Sequence, residues 1–367
     1  MRTMTIVSLT YTKKPQFQTP ESWFYRIRPY LGVLETMARQ DTIISIDRIA
    51  FSGDITVNGV RHYFPDYGEN RLAVVWRLNR CTASLRPDVV LVQGILFPWH
   101  VIALRFQLGK KIPIIAQNHS ERPDRGFRGW LQRLADPCID AYLFTAKTMG
   151  VEWVDRRIIR HLSKVHEVME GSSVFERMDR RDALARTGAS GRPVFLCVGR
   201  LERVKDPLTV VRAFLRFSVE QPGARLYMLY HTYNLLADIK ALLGDSDSIV
   251  LVGERQHEEM GGWYNAADYI ISGSHHEGSG YAVCEAMSCG CIPVLTDILP
   301  FRKMTGNGYC GVLYETGNET ALLTALRTIT ALDIAKEKEK VLRQFNTALS
   351  FDVIAAGIHD IAASLLP

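Results

Sequence analysis

Short apolar runs rich in β-branched residues alternate along the whole chain with amphipathic stretches. This alternation is typical of parallel sheets covered by helices, so the predicted fold class is α/β. The predicted strands of the first half are TMTIVSL, DTIISI, DVVLVQG, IPIIAQN, AYLFTA and KVHEVM, and those of the second half are PVFLCVG, ARLYMLY, SIVLVGE, DYIISGS and IPVLTD. An Asn58-Gly59 pair inside ITVNGVRHYF predicts one antiparallel hairpin.

The length of 367 residues is too great for one ordinary core and predicts two domains. The polar stretch ERMDRRDALARTGASGR, residues 176–192, precedes a buried strand and predicts the boundary. We therefore expect an N-terminal Rossmann-like domain over 1–180 and a C-terminal one over 190–350. Two doubly wound domains that face each other leave a cleft at the carboxyl ends of their strands, which is where ligands of such sheets bind.

Composition excludes several classes of protein. The chain is 47% hydrophobic and 23% charged, its apolar runs are only as long as strands, and no membrane span is predicted. The start MRTMTIVSLTYTKKP is interpreted as a first strand rather than a signal peptide, so a cytoplasmic location is expected. Seven cysteines without a CxxC predict neither a disulfide framework nor a metal site.

The charge is unevenly distributed. Residues 1–190 hold 28 Lys and Arg against 19 Asp and Glu, whereas residues 191–367 hold 16 against 20. A basic first half is compatible with peripheral contact to an anionic membrane at its inner face, or with an acidic substrate. Nucleic acid is not an expected partner, because no RNA-recognition signature is present. The stretch ESWFYRIRPYLGVLETMAR mixes aromatics with arginines, and either core packing or an acceptor or membrane contact fits it.

Two cations follow the predicted strand PVFLCV in the loop GRLERVKDP. Arg200 and Lys205 could neutralise a diphosphate, whose negative charge rises when it becomes a leaving group. Asp206 is placed to cap the helix that begins at Pro207. Two ordinary surface cations near a helix start would give the same pattern, so this loop alone does not decide between the two interpretations.

The stretch EGSGYAVCEAMSCG, residues 277–290, follows the predicted strand DYIISGS. We predict a helix over 281–288, whose first turn leaves backbone N–H groups for a phosphate beside the flexible Gly278 and Gly280. Glu277 and Glu285 can each accept hydrogen bonds from vicinal hydroxyls, so a ligand with two polyol parts joined by phosphate is predicted. A nucleotide-sugar has that form. Solvated helix-start acids are the simpler alternative, and a dinucleotide fingerprint fits poorly because Val283 occupies the third glycine position.

His119 follows the predicted strand IPIIAQN, at its carboxyl end. A histidine there could hydrogen-bond a reacting group in the cleft, although a lone histidine is more often structural.

Together these residues resemble the retaining glycosyltransferases of family 4, the group 1 class with the GT-B fold. The resemblance covers about residues 194–315, where VGRLERVKDPLTVVRAF, LVGER, YNAADYIISGSHHEGSGYAVCEAMSCGCIPVLTD and GVLYETGN follow the family's order. It implies two Rossmann-like domains, a nucleotide-diphospho-sugar donor held mainly by the second, and transfer with retention that uses neither a metal nor a cofactor. It also implies that a final helix, within 351–367, packs back on the first domain.

The resemblance also assigns roles to individual residues. His119, Glu277, Arg200 and Lys205 are the expected catalytic residues, with His119 near the transferred sugar, Glu277 beside it and the two cations on the diphosphate. The remaining donor contacts are expected from Gly253, Glu254 and Arg255 near the base, from Gly278, Ser279, Gly280 and Tyr281 through their backbone, and from Glu285 on the ribose.

Some positions depart from the family pattern. The first loop, SLTYTKKPQFQ, lacks the usual glycine pair, ILPFRKM follows TD, and Ser279 replaces a phenylalanine. Donor binding is still expected, while the acceptor is left open among glycans, glycolipids and small molecules, with envelope polysaccharide synthesis as one setting. The alternatives are a non-catalytic nucleotide-sugar-binding or partner subunit of the same fold and a nucleotide-sugar epimerase.

Overall fold

The computed structural model describes residues 3–68 and 71–366. The chain divides into two compact units. One contains the residues up to Ser172 together with those from Phe351 onward, and the other is Ser173–Ser350.

Each unit contains one β-sheet. The strands of the first are β1 (Thr5–Lys14), β2 (Thr42–Ile49), β3 (Gly53–Val57), β4 (Val60–Phe64), β5 (Val89–Gln93), β6 (Ile114–Gln117), β7 (Ala141–Phe144) and β8 (Val165–Glu167). Those of the second are β9 (Val194–Val198), β10 (Arg225–Leu229), β11 (Ile249–Gly253), β12 (Tyr269–Ser272), β13 (Ile292–Thr296) and β14 (Val312–Tyr314). All the predicted strands are present, and the sequence missed only the three-residue β14 among the parallel strands described.

The α-helices cover both sheets. They are α1 (Pro20–Met37), α2 (Arg71–Ser84), α3 (Pro98–Leu108), α4 (Gly126–Ala135), α5 (Val151–Asp155), α6 (Arg180–Thr187), α7 (Pro207–Glu220), α8 (Leu236–Leu243), α9 (His257–Ala266), α10 (Tyr281–Ser288), α11 (Leu299–Met304), α12 (Glu319–Thr330), α13 (Ile334–Ala348) and α14 (Phe351–Ser364). None of these helices, within the residues described, is both long and apolar enough to cross a membrane.

The sheet of the first unit has eight strands in the order β3-β4-β2-β1-β5-β6-β7-β8, and only β3 is antiparallel to its neighbour. The predicted hairpin is confirmed, with Asn58 and Gly59 at φ 47° and 82° between β3 and β4. The connection from β1 to β2 runs one way along the sheet, whereas those from β4 to β5, β5 to β6 and β6 to β7 run the other way. Because such crossovers are right-handed, α1 covers one face, and α2, α3 and α4 form a layer on the opposite face.

Helix α14 packs against α1 within the first unit. A Cβ atom at Gly32 would lie 2.5 Å from the Phe351 ring, so only glycine lets α14 approach this closely. Asp41 joins the same contact, because it accepts hydrogen bonds from the Met4 amide at 2.9 Å and from His359 Nδ1 at 2.7 Å. The last helix therefore belongs to the first unit.

The sheet of the second unit has six parallel strands in the order β11-β10-β9-β12-β13-β14. Its strand order reverses between β9 and β12, so the loops after these two strands diverge at the switch point. Phe195 anchors the core beneath them and packs edge-on against Phe214 and Phe217, with centroids 5.2 and 5.7 Å away. The loops after β9 and β12 therefore lie above a well-packed aromatic core.

The boundary between the units lies before the stretch predicted to be a linker. Much of 176–192 is helix α6, whose N-cap Asp179 accepts from the Arg181 and Asp182 amides at 2.8 and 3.3 Å. The residues before it are held in the second unit because Asn265 accepts from the Met178 amide at 2.9 Å and donates to the Glu176 carbonyl at 3.0 Å. The division therefore falls at Ser172, and 173–180 do not belong to the first unit.

The aromatic and basic stretch near Pro20 forms α1, and most of its aromatic surface packs inward. Trp23 is buried and packs edge-on against Phe17 at 5.2 Å. The Phe24 ring packs against the buried His62 ring at a tilt of 52°, with centroids 4.5 Å apart. Core packing, one of the two interpretations that the sequence left open, therefore accounts for this face of α1.

His62 is fully buried between aromatic rings, and neither ring nitrogen has a hydrogen-bond partner among the described residues. Burial lowers its pKa to about 4. In the unfolded chain this histidine has its ordinary pKa of about 6.5, so as the pH falls it takes up a proton in the unfolded state before it does so in the folded state. The free energy of unfolding therefore falls as the pH drops from about 6.5 to 4. We expect His62→Phe to recover about 2 to 3 kcal/mol of this loss at about pH 4.5.

Urea midpoints at pH 7 and at about pH 4.5 measure this effect. His161→Phe is the matched control, because His161 is exposed. An equal acid-induced loss in wild type and His62→Phe would contradict the prediction.

Candidate active site

The loop after β9 carries two of the predicted cations. Arg200 lies just past the strand and pairs with Glu202 at 3.0 Å. Lys205 ends a short 3-10 turn, and Asp206 then adopts a left-handed conformation with φ 43°. Its carboxylate accepts from the Thr209 amide at 3.3 Å, which confirms the predicted cap of α7.

The loop after β12 holds this segment in place. The His275 amide donates to the Val204 carbonyl at 2.8 Å. A Cβ atom at Gly273 would lie 2.8 Å from the Asp206 carbonyl oxygen and 3.1 Å from that of Lys205, so glycine is required for the two loops to meet. Residues of both loops, with the ends of β9, β10 and β12, line a small cavity.

Lys205 and Glu277 meet at this point. Lys205 Nζ donates to Glu277 Oε1, and Ser274 Oγ donates to the same oxygen at 2.7 Å. Both side chains are mostly buried, with the Lys205 side chain 22% exposed and the Glu277 side chain 14%. The charges are therefore poorly screened by water, and the pair can attract groups of either sign.

Helix α10 begins at Tyr281 and ends at Ser288, as the sequence predicted. Gly280 precedes it at φ 58°, and a Cβ atom there would lie 2.8 Å from the Phe301 ring. Ser279 is buried, and its hydroxyl has no hydrogen-bond partner among the residues that the structure describes. A buried, unsatisfied hydroxyl beside a helix N-terminus is suited to an anionic or hydroxylated ligand.

Glu285 lies on α10 and is only 8% exposed. Tyr264 OH donates to its Oε2 at 2.7 Å, and His257 Nε2 lies 3.4 Å from its Oε1. Burial, followed by the charge of Glu285, raises the pKa of Tyr264 well above its usual value, so the phenol stays a donor. Phe175 stacks on His257 at 4.6 Å and fixes that ring.

Gly253 is the last residue of β11 at the edge of the sheet, and Glu254 and Arg255 follow it in a loop. The Tyr230 amide donates to the Gly253 carbonyl at 3.1 Å, and the Arg255 guanidinium donates to the Glu254 carbonyl at 2.8 Å. Two residues further on, His257 begins α9 and reaches Glu285. The loop predicted to be near a base is therefore connected by α9 to the acid predicted to bind a ribose.

His119, in the first unit, lies within a hydrogen-bonded chain of side chains. Its Nδ1 is 3.0 Å from Glu170 Oε2, and its Nε2 is 3.0 Å from Gln93 Oε1. The amide nitrogen of Gln93 donates to Tyr30 OH at 2.6 Å, so its oxygen is directed at the histidine. Two acceptors on one imidazole favour the protonated ring, which donates from both nitrogens.

The pKa of His119 is set by opposing effects. Burial lowers it, but the hydrogen bond and charge of Glu170, with the charge of Glu121, outweigh burial and raise the pKa above its usual value. Glu170 is itself buried. His119, whose side chain is 37% exposed, is thus held in an ion pair with a buried carboxylate.

No three His, Cys, Asp or Glu side chains gather into a metal-binding group in 3–68 or 71–366.

Residues 179–346 match the family model described as glycosyl transferases group 1. The second unit belongs to the group 1 glycosyl transferases. Curated relatives of this chain include a D-inositol 3-phosphate glycosyltransferase of Streptosporangium roseum, 29% identical over 133 residues that make up 33% of this chain and 31% of that protein. Another is a GDP-mannose:cellobiosyl-diphosphopolyprenol alpha-mannosyltransferase of Komagataeibacter xylinus, 26% identical over 244 residues that make up 63% of this chain and 59% of that protein. This chain thus spans less than two thirds of either relative.

Solved structures resemble the whole chain. Sucrose-phosphate synthase from Thermosynechococcus elongatus has a TM-score of 0.75 at 16% identity, over 99% of both chains. Anabaena Alr3699/HepE in complex with UDP and glucose has a TM-score of 0.69 at 12% identity, over 98% of this chain and 100% of that one. At these identities the likeness shows the fold, which is the GT-B fold expected from the sequence.

The group 1 domain brings together only some of the predicted residues by direct contact. Lys205 binds Glu277, whereas Arg200 pairs with Glu202 instead. Sequence reasoning missed Tyr264 and His257, because α9 reaches Glu285 only through tertiary packing. It also missed the partners of His119. Gln93 ends β5 and Glu170 follows β8, so the rule that polar residues at strand ends lie close together could have found both.

Proposed function

We propose that the chain is an enzyme that transfers a sugar from a nucleotide-diphospho-sugar to an acceptor, with retention of anomeric configuration and without a metal ion. The observation that carries this proposal is the Lys205–Glu277 pair at the switch point of a group 1 domain. It places a cation suited to phosphate and a carboxylate suited to sugar hydroxyls side by side.

Lys205 and Arg200 are the proposed diphosphate ligands. In the transfer, the bond between the anomeric carbon and the diphosphate oxygen breaks, and the electron pair leaves with the diphosphate. Two cations and the amides at the start of α10 favour this charge more strongly in the transition state than in the ground state, which is the requirement for a faster reaction. The acceptor hydroxyl then bonds to the same face of that carbon, and its proton goes to the departing phosphate oxygen.

Glu285 is the proposed ribose ligand. Its Oε2 is occupied by Tyr264, whereas the 3.4 Å contact of Oε1 with His257 is weak enough to be exchanged for a hydroxyl. The loop Gly253–Arg255 is proposed to lie near the base, and backbone groups of residues 278–281 near the sugar and phosphates.

His119 is proposed to act at the transferred sugar. As a charged donor it can stabilise oxygen atoms that gain negative charge when the donor bond breaks. Glu170 is then a positioning residue, because it holds the ring and its proton.

The names of the relatives support a choice of donor class and acceptor class for this proposal. One is named as a transferase from GDP-mannose to a diphosphopolyprenol-linked disaccharide, and one neighbouring structure contains UDP and glucose. We therefore favour a GDP-sugar or UDP-sugar donor, and a glycan or glycolipid acceptor ahead of other small molecules.

Calorimetric titration with UDP, GDP, ADP and their common sugar conjugates in the presence of EDTA tests the donor site. We expect one nucleotide series to bind wild type, and Glu285→Ala to weaken its affinity about 10- to 100-fold, because a buried charge-assisted acceptor is lost. Glu339→Ala, on an exposed surface of α13, is the matched control. Binding of no series, or equal binding by Glu285→Ala, would overturn the proposed site.

Incubation with the bound nucleotide-sugar alone separates the alternatives. A transferase should hydrolyse its donor slowly, a non-catalytic subunit should leave it intact, and an epimerase should release a changed nucleotide-sugar. Proton NMR of the transferred product then gives the anomeric configuration, and an inverted linkage would overturn retention.

A further inference from the structure

We propose that the outer surface of the helix layer α2, α3 and α4 docks on an anionic lipid membrane. This inference goes beyond the proposed function and does not depend on it. It rests on where the exposed aromatic side chains and the uncompensated basic charge of the first unit lie.

Exposed tryptophan and phenylalanine side chains occur on these three helices and nowhere else in 3–68 and 71–366. They form, together with the exposed Leu134, what we call the aromatic face: Trp76 (56% exposed), Trp99 (56%), Phe106 (84%), Phe127 (68%) and Trp130 (49%). A large aromatic side chain left in water costs free energy of the order of 1.5 to 3 kcal/mol relative to its burial. Five on one helical layer point to a surface that is covered in use.

The spacing of these residues aligns them in stripes. Trp99 and Phe106 are seven residues apart on α3, and Phe127, Trp130 and Leu134 follow the three- and four-residue spacing of one side of α4. The rings of Phe127 and Trp130 stack with centroids 5.6 Å apart.

The three helices form one continuous layer. Helix α3 packs against both α2 and α4. Gln107 Nε2 donates to the Trp76 carbonyl at 3.4 Å, which places the exposed Trp76 beside the turn of α3 that carries Phe106. The aromatic face therefore spans adjacent helices rather than isolated sites.

The charge of this segment is strongly basic. Residues 71–135 contain 11 Lys and Arg but only 3 Asp and Glu, so they supply nearly all the excess positive charge of residues 1–190. Arg77, Arg80, Arg128 and Arg133 lie on α2 and α4 and are exposed.

The three acids do not offset this charge at the surface, because each is engaged by the protein. Asp88 accepts from the Thr5 amide at 2.8 Å, Glu121 from the Ile95 amide at 3.2 Å, and Asp124 from Gln132 at 3.3 Å. All three residues are at least partly buried. The layer thus presents cations and aromatic rings to solvent with no exposed anion among them.

A lipid surface fits this combination better than a protein or a nucleic acid. Tryptophan rings are favoured at the level of the lipid head groups, and arginines bind the phosphates of anionic lipids. The stripes lie on the exposed outer surface of one helix layer, where a broad planar partner can reach adjacent helices, whereas single-stranded nucleic acid is usually bound along a groove.

Co-sedimentation of the full chain with vesicles tests the proposal. The vesicles contain phosphatidylcholine alone or with roughly one third phosphatidylglycerol. We expect binding to the anionic vesicles and much weaker binding to the neutral ones. The variant Phe106→Ser/Phe127→Ser/Trp130→Ser should lose at least about tenfold in affinity. The variant Arg77→Glu/Arg80→Glu/Arg128→Glu should lose at least about a hundredfold, because each basic residue contributes about fivefold and each glutamate adds repulsion.

The matched control is Val219→Ser/Tyr309→Ser/Leu332→Ser, which removes three exposed apolar side chains of the second unit. It should bind like wild type. Vesicles with brominated acyl chains should quench the fluorescence of wild type, and much less that of Trp76→Phe/Trp99→Phe/Trp130→Phe. All substituted side chains are exposed, and circular dichroism verifies that the variants fold.

Failure of wild type to bind anionic vesicles would overturn the proposal, as would equal binding by the aromatic variant and the control. A single-stranded oligonucleotide that binds in place of vesicles, with its affinity lost in the same variants, would instead assign the surface to nucleic acid.

Discussion

Lys205→Met is expected to lower kcat/KM for sugar transfer by about a thousandfold. The change removes a mostly buried cation that pairs with Glu277 and keeps the length of the side chain. Because the diphosphate gains negative charge as the donor bond breaks, a cation beside it stabilises the transition state more than the bound donor. We therefore expect kcat to fall much more than the KM for the donor rises.

Steady-state kinetics with varied donor measure this effect. Lys240→Met is the matched control, because Lys240 is exposed on α8 and should leave both constants unchanged. Thermal unfolding must accompany the kinetics, since Lys205→Met leaves Glu277 without its cation. Activity within about threefold of wild type in a folded variant would remove Lys205 from the proposed mechanism.

His119→Gln is expected to lower kcat by about a hundredfold while the dissociation constant of the nucleoside diphosphate stays the same. His119 belongs to the first unit, whereas the proposed nucleotide ligands belong to the second. The substitution should therefore lower kcat and leave the affinity for the nucleoside diphosphate unchanged.

Glu170→Gln should have a smaller effect on kcat at neutral pH but should move the pH profile. Glu170 raises the pKa of His119 against the effect of burial, so the imidazolium of wild type persists to higher pH. Without that carboxylate the His119 imidazolium loses its proton at a lower pH. The alkaline limb of the kcat profile should therefore shift to lower pH. His161→Gln, at an exposed position, controls for the general removal of a histidine.

The same linkage has a consequence for stability. A histidine whose pKa is raised by folding stabilises the protein below its unfolded pKa, and this contribution disappears as the pH rises through the folded value. As the pH rises from the unfolded to the folded pKa of His119, the free energy of unfolding should therefore fall more in wild type than in Glu170→Gln.

For the kinetic prediction, an unchanged alkaline limb of the kcat profile in Glu170→Gln would contradict the positioning role.

The fold was largely predictable because its signals are local. Asn58-Gly59 defines a hairpin with two residues, and apolar runs of four or more residues identify the buried strands. Length alone does not explain why β14 (Val312–Tyr314) was missed, because β8 (Val165–Glu167) is equally short and was predicted. The stretch 176–192 was misread because α6 is short and rich in charge, and the contacts from Asn265 that bind its approach to the second unit are not encoded nearby.

The site divides along the same line. Residues proposed to contact a ligand from loops next to strands, such as Lys205 and Glu277, can be found in a sequence because the ends of strands can be found. The residues that position those side chains cannot be found in the same way. Tyr264 reaches Glu285 from 21 positions away, and Glu170 reaches His119 from 51 positions away. Only the folded chain shows that Glu285 has one oxygen occupied and that His119 is held in an ion pair.

The attachment of α14 to the first unit has a consequence for how the chain is made. Ser173–Ser350 is inserted between two parts of the other unit, so the polypeptide crosses from one to the other twice. A ribosome releases the whole inserted unit before Phe351 can cover Gly32 and His359 can reach Asp41. The inserted unit can therefore complete its sheet during synthesis. The first unit cannot, because the face of α1 that packs against α14 stays uncovered until α14 has emerged from the ribosome.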